Sequence, residues 1–189
     1  MSLLTGPEIE ILVDESRITI DPFIRSHCGP NSVDLRLAHD LRIYTLEQGF
    51  LDADIDNPTK SVELEEDGTY LLLPGQLYLG RTIERIGSDY YVPIVEGRSS
   101  LGRLGCQVHM TAGVGDLGFH GTITLEIAVM HPLRIKPGTR ICQALWQTII
   151  GTPRLYKGWY QGQFDATASR AHLEGYLPSG IHSEPDGHK

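Results

Sequence analysis

Apolar residues in this chain recur at every second position, in short runs cut off by turn formers. In "SVDLRL", Val33, Leu35 and Leu37 point one way while Ser32, Asp34 and Arg36 point the other. In "TITLEIAV", Ile123, Leu125, Ile127 and Val129 share one face, leaving Thr122, Thr124, Glu126 and Ala128 on the opposite one. "TYLLLPGQLYLGRTIERI" and "ICQALWQTII" are similarly short, rich in β-formers and bounded by Gly, Pro, Asp or Asn. About ten such strands predict an all-β sandwich or barrel and exclude a βαβ array. Helical periodicity is confined to the N-terminus. There Thr5, Pro7 and Glu8 form a capping-box pattern ahead of Ile9, Leu12 and Val13, predicting a short helix over about residues 6–15.

A chain of 189 residues can build one domain with a sizeable core, and 40% hydrophobic with 21% charged residues is ordinary for a soluble globular protein. No apolar run reaches the length of a membrane span. The N-terminus lacks a basic segment followed by an apolar one, so the expected compartment is the cytoplasm. Cys28, Cys106 and Cys142 are odd in number and widely spaced, which predicts reduced thiols rather than a disulfide framework or a zinc site. A net charge of −8 argues against a nucleic-acid-coating surface, yet a few clustered arginines can still hold a phosphate. From about Gly151 the composition shifts to aromatics and glycines ("LYKGWYQGQFDATASR"), which predicts an arm that docks on something. We expect residues 1–170 to form one domain with an arm over about 151–170, and 171–189 to form a flexible tail.

One stretch invites a nucleotide reading. From Gly97 the chain runs G-R-S-S-L-G-R-L, one step from the phosphate-loop pattern G-x-x-x-x-G-K-[ST]. Arg103 and Leu104 stand where the lysine and the magnesium-binding hydroxyl belong, and the surroundings are antiparallel β, so that reading fails. Ser99 and Ser100 can instead cap a short helix containing Leu101 and Leu104, with Arg98 and Arg103 as bidentate oxyanion donors. A capped turn with two solvated arginines accounts for the same residues. Asp116 reads equally as a turn former between glycines, and Glu126 as an exposed side chain on a sheet. Ser, Arg, Asp and Glu gathered within about thirty residues of a β fold favour a site.

"EGRSSLGRLG", "TAGVGDLGFHGTITLE" and "PGTRICQ" resemble the dCTP deaminase and dUTPase superfamily in order and spacing. "ITIDPF", "GPNSVDLRLA" and "YQGQFDATASR" are similar to its deaminase branch, so the likeness runs to about Arg170. It implies a distorted β jelly roll of the dUTPase-like type, forming a homotrimer with active sites between subunits and the arm closing over the nucleotide. Arg103 and Glu126 together mark the deaminase branch over plain dUTPases. "TAG" at 111–113 and Gln143 resemble the bifunctional form, which carries dCTP on to dUMP and pyrophosphate and so supplies thymidylate synthesis.

The resemblance also implies roles. Glu126 is the general base and then acid, Ser99 holds the attacking water, and Arg103 pairs with Glu126 and stabilises charge developing at C4. The backbone near Ala112 reads the base edge, and Asp116 contacts the sugar and positions a second water. Arg98, Ser99, Ser100, Tyr156 and Gln163 hold phosphates, with Thr124, Leu125 and Gln143 completing the nucleotide set. Mg2+ rides on the triphosphate, and no zinc is used, since no H-x-E…P-C-x-x-C constellation exists. His109, His120 and His131 lack ligand spacing. The arm departs from the pattern at Trp159, where relatives carry a phosphate-binding lysine, and at Asp165, where they carry glycine. Lys157 is a substitute cation for the first position. Trp159 reads either as a stacking surface for base or ribose or as a packing residue.

Overall fold

The computed structural model describes residues 2–111 and 113–173. Helix α1 spans Gly6–Asp14, capped by Thr5, whose hydroxyl accepts the Glu8 N–H at 3.4 Å. Its buried face is Ile9 and Leu12, as the periodicity predicts, with Val13 packed at the edge of the core. Eleven strands follow: β1 Thr19–Asp21, β2 Val33–Arg36, β3 Arg42–Tyr44, β4 Thr59–Ser61, β5 Tyr70–Leu72, β6 Tyr78–Gly87, β7 Tyr91–Gly97, β8 Cys106–Gln107, β9 His120–Val129, β10 Leu133–Ile135 and β11 Arg140–Thr148. A four-residue helix, α2, occupies Ser99–Gly102. The all-β class with a short N-terminal helix is what the alternation predicts.

The strands make three sheets, and all their pairings are antiparallel. One runs β4-β3-β6-β9-β8 with β1 added on β6; a second is β2-β11-β7; a third pairs β10 with β5. Val33, Leu35 and Leu37 are all buried on one side of β2, as expected. They meet Trp146, Leu125 and Ile127 in a core with Tyr70 and Leu72.

On β9 the expected alternation holds from Leu125 onward and lapses before it. Thr122, assigned to the outer face, is fully buried, whereas Ile123, assigned to the inner one, is half-buried. The ladder with β6 slips here: Arg81 pairs with Thr124 but Arg85 with Thr122, two extra residues on β6. The Ile123 N–H is taken by the Thr82 hydroxyl at 2.9 Å. Thr122 is buried because the C-terminal arm lies over it.

The thiols of Cys28, Cys106 and Cys142 are free, and burial raises all three above the usual cysteine range, Cys142 most of all. No helix among the described residues is long and apolar enough to cross a membrane. Of the stretch assigned to a tail, Ala171–Leu173 form a 3-10 turn, and residues 174–189 lie outside those described.

Candidate active site

A cavity of about 610 Å³ opens between β9, the loop before it and the arm. Its floor is Ile123, Thr124 and Glu126 of β9 with Leu79 of β6; the register sets Leu79 opposite Glu126. Glu126 projects into it because the residues on either side, Leu125 and Ile127, are the ones β9 buries in the core. The Glu126 carboxylate accepts the Met110 N–H at 2.8 Å, which ties it to the 110–116 loop. That loop brings Thr111, Val114, Gly115 and the exposed Asp116 to one wall. It is held against β7 by Val95 N–H to Gly113 O at 2.6 Å and, just before it, by the hydrogen bond between Glu96 and His109 at 3.1 Å. Gly113 has no room for a side chain, since a Cβ there would strike the Val95 carbonyl.

The arm supplies the roof. It runs alongside β9 in the same direction. The Gly162 N–H reaches His120 O at 3.0 Å, Thr122 N–H reaches Gln163 O at 3.0 Å, and Thr167 N–H reaches the Thr124 hydroxyl at 3.3 Å. Upstream, Tyr156 N–H is bound by Leu117 O at 2.7 Å; downstream, Ser169 N–H is bound by the Tyr44 hydroxyl at 2.8 Å. Tyr156, Tyr160, Gln163 and Thr167 thereby face the cavity. Gln163 donates Nε2 to Thr122 O at 2.8 Å, and its buried Oε1 has no donor among the described residues.

Of the residues singled out from the sequence, the fold gathers Asp116, Thr124, Glu126, Tyr156 and Gln163 around this cavity. Leu125 does not border it, because its side chain is in the core opposite Gly80. Ala112 lies outside the described residues. Arg98, Ser99, Ser100, Arg103 and Gln143 belong to a different region, around the end of the β2-β11-β7 sheet. Ser99 and Ser100 open α2 as its first two residues, so the capping expected of them is not made; Arg98 is the cap residue and offers no side-chain bond. Leu104 lies past the helix, which ends at Gly102.

Arg98 is engaged with Asp34, Nε to Oδ1 at 3.0 Å, and the same carboxylate takes Arg140 at 3.1 Å. Gln143 accepts the Ser32 hydroxyl at 2.9 Å and reaches Gly97 O at 3.4 Å. Arg103 is exposed, and no ion pair joins it to Glu126 within the described residues of one chain. None of the residues lining the large cavity is a lysine or arginine.

Trp159 lines neither cavity wall nor floor; its carbonyl accepts the Arg170 guanidinium. Lys157 borders a separate cavity of about 500 Å³ with Asp89 and His120, which pair at 3.1 Å. His131 is exposed. No three His, Cys, Asp or Glu side chains converge on a metal position among the described residues. The sequence reading gives no role to Tyr44, Phe119 and Tyr160, aromatic members of the cavity, although Phe119 and Tyr160 stand inside the quoted stretches "TAGVGDLGFHGTITLE" and "YQGQFDATASR".

Comparison with known proteins agrees with this architecture. The family model described as "dCTP deaminase-like" matches residues 3–149. A protein of Leptospira biflexa named "dCTP deaminase, dUMP-forming" is 48% identical over 160 residues, 84% of this chain and 90% of that one. One of the same name from Clostridium beijerinckii is 46% identical over the same span. The crystal structure of 2'-deoxycytidine 5'-triphosphate deaminase from Agrobacterium tumefaciens superposes with a TM-score of 0.60 at 18% identity. It shares the fold over 77% of this chain, which spans 48% of that longer one. The chain belongs to the dCTP deaminase-like family.

Proposed function

We propose that the protein converts dCTP to dUMP in two hydrolytic steps within one site. Water adds to C4 of the cytosine and ammonia leaves; a second water then attacks the α-phosphorus and pyrophosphate leaves. The observation that carries this reading is the placing of two carboxylates, Glu126 and Asp116, in one arm-roofed cavity of about 610 Å³. Relatives at 46–48% identity carry the matching name.

In the first step Glu126 takes the proton of the water and hands it to the departing amine, a shuttle between two atoms within reach of one carboxylate. Met110 N–H fixes one of its oxygens and so aims the other. Asp116, on the loop wall, contacts the sugar hydroxyl and orients the second water. Tyr156 and Gln163 of the roof bind phosphate oxygens, Thr124 and the main chain around Leu125 and Ala112 meet the base, and closure excludes bulk water.

A triphosphate placed here meets two carboxylates and, among the described residues, no lysine or arginine of its own chain. We therefore take the site to lie between copies of a homotrimer, with the exposed Ser99, Ser100 and Arg103 of α2 and its flank, together with Arg98 and Gln143, presented to a neighbour's Glu126. Mg2+ is carried on the phosphates, where it offsets their charge when bound; the acidic side chains lining this cavity are Asp116 and Glu126. Residues 1–170 act as one domain, and reduced thiols suit the cytoplasm.

The test is incubation with dCTP, dCMP and dUTP plus magnesium, following ammonia, pyrophosphate and nucleotide products. Ammonia, pyrophosphate and dUMP together are expected from dCTP, and Glu126→Gln is expected to abolish ammonia release while still binding nucleotide. Hydrolysis of dUTP without dCTP turnover would make the protein a plain dUTPase; turnover of none would make it a nucleotide sensor on the same scaffold. A Glu126→Gln protein deaminating at the wild-type rate would remove Glu126 from its role.

A further inference from the structure

Beneath the middle of the arm lies a nearly buried cation that the catalytic scheme does not use. Arg81 of β6 is 8% exposed, and its Nε sits 2.8 and 2.9 Å from the two carboxylate oxygens of Asp40. Nη1 donates to Thr82 O at 3.1 Å. The guanidinium carbon lies 4.9 Å from the centroid of the Phe164 ring on the arm. Two residues further on, Ala166 donates its N–H to the same Asp40 carboxylate at 3.2 Å. Across the β6–β9 ladder, Arg81 pairs with Thr124, whose hydroxyl accepts Thr167 N–H. Three arm residues, at 164, 166 and 167, are thus seated on one ion pair and its cross-strand partner.

Phe164 is 66% exposed, so burial of its ring contributes little to holding the arm there. What the ring does is lie over a guanidinium that water barely reaches, and a cation on an aromatic face gains most where water is scarce. Asp40 and Arg81 both belong to the body of the fold, so their pair is in place whether or not the arm is down. Only the arm has to arrive.

We propose that the Asp40–Arg81 pair is a latch seat for the arm: Phe164 and Ala166 dock on it, and so set how often the roof covers the cavity. This rests on reading the cavity as the nucleotide site. Asp40, Arg81 and Phe164 are positioning residues, since none touches the reacting groups. Their effect falls on apparent affinity, because a ligand that needs the closed form binds in proportion to the closed fraction. Turnover of the closed complex is untouched.

The experiment compares wild type with Phe164→Ala, Phe164→Tyr and Asp40→Asn. Two readouts are taken: steady-state deamination of dCTP, and trypsin cleavage of the nucleotide-free protein after Lys157 and Arg170. A cation–ring contact of this kind corresponds to about a fivefold to tenfold change in equilibrium. Phe164→Ala is expected to raise KM and the cleavage rate by about that factor, with kcat within about twofold of wild type. Phe164→Tyr, which keeps the ring, restores both, and Asp40→Asn, which keeps an acceptor for Ala166 but loses the charge, falls between. Thermal melting checks the fold of each variant: the exposed Phe164 is not expected to matter to it, whereas Asp40→Asn removes the partner of a nearly buried cation and is expected to melt lower, so it is assayed below its own transition. A Phe164→Ala protein cleaved at the wild-type rate overturns the latch. So does one whose kcat falls as far as its KM rises and which Phe164→Tyr does not rescue. Cleavage is read without nucleotide, so failure of the proposed reaction leaves the cleavage result to decide the latch on its own.

Discussion

Asp34 takes two arginines at once, Arg98 at 3.0 Å and Arg140 at 3.1 Å, with its own side chain 15% exposed. Asp89, paired with His120 at 3.1 Å, is 51% exposed. The two make a controlled comparison, because breaking a shielded pair strands a charge whereas breaking a solvated one lets water replace it. Asp34→Asn is expected to cost about 1–3 kcal/mol in urea unfolding, and Asp89→Asn less than about 0.5 kcal/mol. Equal losses from both would refute the distinction. The chemistry of individual residues is legible in the sequence where type and spacing suffice: they single out Glu126 and Asp116, and both border the cavity. Alternation marks Asp34 only as an outward residue of its strand. Its partners Arg98 and Arg140 come from distant segments, and nothing local in "SVDLRL" carries that information.

Among the elements, the arm depends most on what lies beneath it. A Cβ on Gly121 would come within 2.9 Å of Gln163 O and 2.8 Å of the Phe119 ring, so Ala there collides with main chain that cannot rotate away. Gly121→Ala is expected to lift the arm, raising KM for dCTP about tenfold and costing about 1–3 kcal/mol in thermal unfolding. An unchanged KM would mean the arm does not govern binding. Legibility at this scale follows range. The cap of α1 needs Thr5 and Glu8 alone, and the buried face of β2 needs only alternation. The inversion at Thr122 and Ile123 needs the arm, far downstream in the chain, and no period-two count contains it. The failed capping by Ser99 and Ser100 has a simpler cause: the helix starts one residue earlier than the serines require.

For the whole molecule, the separation of Arg103 from Glu126 is the fact to be explained. Glu126 borders the cavity and Arg103 does not, so the proposed site, which uses both, takes them from different copies. Arg103→Ala and Glu126→Gln proteins, each inactive alone, are therefore expected to regain activity when unfolded and refolded together. Random mixing of the two kinds of subunit restores roughly a quarter of the sites in a cyclic trimer. Activity would stay at the background of the two parents if both residues served one chain. Sequence order names candidate members of a site but not which chain supplies each, because sequence is silent on which surfaces meet.

The arm's mooring leaves a mark on how this chain can vary. Many of the ties that hold it to the body are made by its main chain, the N–H groups of Tyr156, Gly162, Ala166, Thr167 and Ser169 and the carbonyl of Gln163, and the side chains of Gln161, Gln163 and Phe164 add the rest. A strap moored in this way depends on the side chains at 161, 163 and 164 and is indifferent to those that make no such tie. Trp159 and Asp165, the two positions where the arm leaves the pattern it resembles, make no side-chain hydrogen bond among the described residues; the first is half-buried and the second exposed. Exchanging either side chain leaves every hydrogen bond between strap and body in place.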